Sequence, residues 1–127
     1  MLQNLMNGKA VQGFDSVAFF EGKAVKGNEK FKFSYNNAEY VFESESNKSK
    51  FESDPKKYAP QYGGYCSIAM SEGALANPNP KSFLIQNDKL YLFTMKFFGI
   101  INVKRQWVKD PINKQELADK EWSKMNS

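Results

Sequence analysis

Residues 31 to 42, FKFSYNNAEYVF, restrict the fold more than any other stretch of the chain. Phe31, Phe33 and Tyr35 alternate with polar residues, Asn36-Asn37 follows, and Tyr40 and Phe42 alternate on the return. A period of two marks a strand with one buried face, and asparagine tolerates the left-handed backbone that a two-residue turn demands. The stretch predicts an antiparallel hairpin with an aromatic face. SFLIQNDKLYLFT, residues 82 to 94, predicts a second hairpin that turns at Asn87-Asp88 and points Leu90 and Leu92 inward.

Between and after the hairpins the punctuation is helical. SESNKSKFESDP reads as a short helix, with Ser44 or Ser46 as its cap, Phe51 as its core contact and Pro55 as its stop. GGYCSIAMSEG reads as another, opened by Gly63-Gly64 and ended at Gly73, with Cys66 in its first turn. ANPNP is a loop. MKFFGIINVKRQWVKD is helical in its later part, where Val103 and Trp107 share a face. Asp110-Pro111 ends that helix and begins a last one over 112–125, with Ala118, Trp122 and Met125 on one stripe and Glu116 and Lys120 paired on the surface. Two hairpins mixed with several short helices in 127 residues make a single α+β domain spanning 1–127.

Composition narrows the function. Eleven Phe, six Tyr and two Trp belong to a packed domain rather than a disordered one. A single cysteine forms no internal disulfide. The absence of histidine removes the commonest general base, the commonest transition-metal ligand and the usual Ser-His-Asp and Cys-His groupings. No pair of carboxylates is spaced for acid–base work, so the expectation is a protein that is not an enzyme. The net charge of +4 is spread over interspersed acids and bases, and no nucleic-acid module is recognisable. No apolar run approaches the roughly 18 residues that span a bilayer; FFGII is the greasiest patch and is far too short. The N-terminal MLQNLMNGKAVQGF has no signal-peptide pattern, so the chain as given is expected to be soluble and cytoplasmic, or exported if a signal peptide has been removed.

The candidate ligand-binding residues centre on YAPQYGGYCSIAMSEG: Cys66, Tyr65, Tyr62, Gly64 and Met70. A cysteine at a helix N-terminus is a thiolate candidate, beside a depression lined by Tyr58, Tyr62 and Tyr65. A free cysteine is equally a small apolar residue of a core. Cys66 and Met70, with Met95, form a candidate set for a soft metal such as Cu(I), which prefers sulfur. The same tyrosines, with Gln61, serve as well to pack their rings and keep their hydroxyls wet. Glu43 and Asn47 stand four apart near a helix start, where capping competes with a two-oxygen cation site. Asp15 reads as a turn residue, and Phe97 and Phe98 as an exposed aromatic patch suited to a protein partner or a second copy.

Several blocks, in order and at similar spacing, resemble the bacterial YHS-domain proteins: VQGFDSVAFFEGKAVKG, YNNAEYVFESESNKSKFESDPKKYAPQYGGYCSIAMSEG, DKLYLF and RQWVKD. The resemblance implies small antiparallel hairpins packed with short helices around a YHS, treble-clef-like core, and a link with heavy-metal handling. Short members carry a Y-Y-F-C-S-x-x-C pattern. Here the block YVFESESNKSKF, Tyr40 to Phe51, matches it in length, but Glu43 and Asn47 stand at the two cysteine positions, and Ala18 stands roughly where another cysteine occurs. The resemblance therefore implies a small non-catalytic binding or accessory domain, related to metal or a small ligand through Cys66. The competing readings are a thiol-dependent redox protein and a protein–protein interaction module.

Overall fold

The computed structural model describes residues 2–96, 99 and 101–126. Its first hairpin is the predicted one. Strands β3 (Asn28–Tyr35) and β4 (Ala38–Phe42) pair antiparallel with Phe33 opposite Tyr40 and Tyr35 opposite Ala38. Asn36 and Asn37 take φ of 50° and 63°, which asparagine accepts more readily than most residues. Two short strands precede it, β1 (Leu5–Met6) and β2 (Lys9–Ala10). β2 lies parallel to β4 through Lys9 and Glu39, which gives a sheet of order β1-β2-β4-β3. The register of β3 slips between Asn28 and Lys32, and Gly27 sits against the β4 backbone there. A Cβ at Gly27 would collide with the Val41 carbonyl, so this approach requires glycine.

The second hairpin pairs β5 (Asn79–Gln86) with β6 (Lys89–Phe93) and turns at Asn87-Asp88. The segment before it runs parallel to β6, touching it at Pro60–Leu90 and Cys66–Leu92. β6 divides the interior. Leu90 and Leu92 face a first core with Phe19, Tyr40, Phe42 and Phe51. Tyr91 and Phe93 face a second core with Tyr62, Cys66, Met70 and Trp107. Both faces of the strand are buried, which is why LYLF is an unbroken apolar run rather than an alternation.

Among the described residues six α-helices cover the two cores: α1 (Ser16–Phe19), α2 (Glu45–Ser53), α3 (Pro55–Tyr58), α4 (Ser67–Ser71), α5 (Lys104–Lys109) and α6 (Pro111–Met125). Helix α2 starts at Ser44, whose Oγ accepts from Asn47 N–H at 3.1 Å. It lowers Phe51 into the first core, where the ring lies 4.4 Å from Tyr40 and 5.3 Å from Phe42. Burying a ring of that size contributes about 1.5–3 kcal/mol. Trp107 does the same in the second core, 4.9 Å from Tyr91, with its indole N–H donated to Gln86 at 3.3 Å.

Four expectations are amended. Pro55 does not simply stop a helix; its fixed φ starts α3. Asp110 precedes α6 as expected, yet its side chain accepts no capping bond. A two-residue pairing, β7 (Met95–Lys96) with β8 (Ile101–Asn102), precedes α5. Glu116–Lys120 is not among the ion pairs of the described residues, which join Lys9–Glu29, Lys23–Glu43, Lys50–Glu21 and Lys124–Glu121. Phe97 and Phe98 lie outside the described residues. Among those described, no helix is long and apolar enough to cross a membrane.

Candidate functional site

Three places bear on function, and the first is a buried carboxylate. Asp15 is 0% exposed. As N-cap of α1 its Oδ1 accepts from Val17 N–H at 2.9 Å and Ala18 N–H at 3.1 Å. Its Oδ2 accepts from Glu43 N–H and from the Asn47 side-chain amide, both at 2.9 Å. Ala18, Glu43 and Asn47, the three positions that stand where short YHS proteins have cysteines, thus converge on one group. They do not converge as metal ligands. Ala18 offers a methyl group, Asn47 points its donor at Asp15, and the Glu43 carboxylate faces Lys23 at 3.3 Å. Four N–H donors occupy the Asp15 oxygens, so this node is a structural crosslink. Among the described residues no three histidine, cysteine or carboxylate side chains gather to hold a metal ion.

The second place is Cys66. It is the residue before α4 rather than part of its first turn, and it is 1% exposed. The parallel pairing with Leu92 draws it inward, and its Sγ accepts from Thr94 N–H at 3.3 Å. Met70, 0% exposed, lies in the same core, while Met95 lies on β7. Tyr65 is half-buried and donates its hydroxyl to the Gln3 carbonyl at 3.3 Å, which ties down the N-terminal segment. Gly64 is buried with φ of 84° in the turn before Cys66.

The third place is a cleft of about 490 Å³ on the seam between the two cores. Tyr35 and Tyr40 enter it from the first hairpin, Tyr62 from the segment along β6, and Trp122 from α6. Exposed Lys56 and Lys89 also line it. Tyr62 donates its hydroxyl to Asp119 at 2.7 Å and meets the Trp122 ring at 6.3 Å, which fixes α6 against the seam. Gly63 makes that docking possible. A side chain there would strike the Leu2 carbonyl and approach the Trp122 ring to 3.0 Å, and its φ of 61° suits glycine. Tyr40 is 3% exposed, and among the described residues the buried hydroxyls without a partner are those of Ser16, Ser67 and Tyr91, not that of Tyr40. Burial raises its pKa, with a smaller contribution from Tyr35. Burial raises that of Tyr62 as well, and the hydrogen bond to Asp119 adds to it.

This cleft is not the depression expected beside Cys66: Tyr58 is not among its walls, nor are Cys66, Gly64, Tyr65 and Met70. Of the five candidates only Tyr62 lines it. Sequence reasoning passed over Tyr35, Tyr40 and Trp122, which read as core residues on strand and helix stripes. The one local signal was Gly63, whose positive φ turns the chain under Trp122.

No curated protein and no solved structure matches the chain. The family match begins within α1, runs through the first hairpin, α2 and α3, and stops at Tyr62, so β5, β6 and α4 to α6 lie beyond it. Over residues 17–62, about a third of the chain, the sequence matches the YHS domain.

Proposed function

We propose that this protein is a non-catalytic binding module whose small ligand occupies the seam cleft. The observation that carries this reading is the cleft itself, walled by Tyr35, Tyr40, Tyr62 and Trp122 where the two cores meet. The volume of about 490 Å³, the aromatic walls and the position between two packed units are those of small-molecule sites. The carboxylate at the cleft, Asp119, is engaged by Tyr62, and no nucleophile–base pair accompanies it, which favours binding over catalysis.

A YHS domain suggests a metal-related accessory role. The residues present do not fit a metal at the family's cysteine positions, where an alanine, a lysine-paired glutamate and a hydrogen-bonded asparagine stand. The ligand reading replaces that role here. It is tested by fragment titration on nitrogen-labelled protein, following the indole N–H of Trp122 and the amide of Gly63. Saturable shifts at these two signals, lost in Trp122→Ala, support the cleft. Shifts confined to residues around Cys66 overturn it.

A further inference from the structure

The balance of donors and acceptors in the cleft identifies the class of ligand. Lys56 and Lys89, the hydroxyls of Tyr35 and Tyr40, the Gln61 amide and the Trp122 indole N–H all belong to cleft residues. None of these groups makes a hydrogen bond or ion pair among the described residues. Two are cations and the indole N–H only donates, while the two hydroxyls and the amide both donate and accept. The single carboxylate, Asp119, already accepts from Tyr62 at 2.7 Å. The Gln3 side-chain amide is likewise occupied, donating to the Asn36 carbonyl at 2.5 Å. A neutral or cationic ligand would leave the two ammonium groups and the unengaged donors unanswered.

The walls add a shape requirement. Tyr35 and Tyr40 are 6.4 Å apart on one side, and Tyr62 and Trp122 are 6.3 Å apart on the other. Aromatic walls favour a flat, apolar ligand body, and cations beside them favour an anionic end. We infer that the seam cleft binds a small planar organic anion of the aromatic carboxylate type, its ring among Tyr35, Tyr40 and Trp122 and its charge toward Lys56 and Lys89. This inference rests on the cleft being the ligand site.

The test is calorimetric titration of the whole protein with three matched probes: indoleacetate, indoleacetamide and tryptamine. They share a ring and differ in charge. Indoleacetate is expected to bind about tenfold tighter than the amide, since two exposed charge contacts are together worth about that factor, and tryptamine is expected to bind weakest. The double variant Lys56→Gln/Lys89→Gln, which alters only exposed side chains, should erase the preference for indoleacetate over indoleacetamide. Equal affinity for the acid and the amide, or tightest binding of tryptamine, overturns the anion class while the cleft stands. No binding by any probe, or binding that survives Trp122→Ala, overturns both the class and the site.

Discussion

Asn47 donates its side-chain amide to Asp15 Oδ2 at 2.9 Å, joining residues 32 apart in the chain. With Val17, Ala18 and Glu43 donating to the same carboxylate, one side chain ties α1 to the end of β4 and to the first turn of α2. Asp15→Ala strands these donors in a dry interior and removes a helix cap, so it should lower stability by roughly 3 kcal/mol or more. Asn47→Ala should cost about 1–3 kcal/mol. Asn47→Asp should cost more than Asn47→Ala, because it sets a second carboxylate against Asp15. Urea midpoints rank the three variants; equal midpoints for Asn47→Ala and Asn47→Asp would deny the contact.

The same node ties its elements together through hydrogen bonds alone, which leads to a prediction about metal. Treatment with a strong chelator should leave the circular dichroism spectrum and the melting temperature unchanged. A stoichiometric zinc ion whose removal unfolds the protein would contradict this, since structural zinc contributes directly to folding free energy.

Cys66 should behave as a core residue. Its sulfur is buried and accepts from Thr94 N–H, so alkylating reagents should reach it only when denaturant opens the second core. Rapid labelling of native protein at neutral pH would restore the thiol as a functional candidate.

Much of this fold is written locally. Asn36-Asn37 and Asn87-Asp88, each flanked by alternating apolar residues, mark both hairpins, and Ser44 announces α2 three residues before Asn47. What is not local is not legible. Asp15 reads as a turn residue because two of its four donors lie 28 and 32 residues away. The cleft is not legible locally because its walls come from both cores: Tyr40 belongs to the first and Trp122 packs on the second. Cys66 drew attention by rarity, and rarity says nothing about exposure. The parallel run beside β6 that buries it has no periodic signature.

Alkaline pH offers a further check. Burial pushes the hydroxyls of Tyr40 and Tyr62 upward in pKa, and that of Tyr91 up to about 12. An unfolded tyrosine ionises near about 10. The folded pKa lies above the unfolded one, so this contribution to stability is fully present below about pH 10 and is lost as pH rises toward about 12. Denaturation midpoints should therefore fall above about pH 10, and the phenolate absorbance of these three tyrosines should appear only with unfolding. Simultaneous ionisation of all six tyrosines near about pH 10 with the fold intact would contradict their burial.

The most direct measurement is crystallographic. Crystals soaked in a brominated indoleacetate and measured at the bromine absorption edge give an anomalous peak wherever the ring settles. The account predicts a single strong peak in the seam cleft, between Tyr40 and Trp122 and within reach of Lys56 or Lys89. A peak beside Cys66 and Met70 with none in the cleft would contradict it.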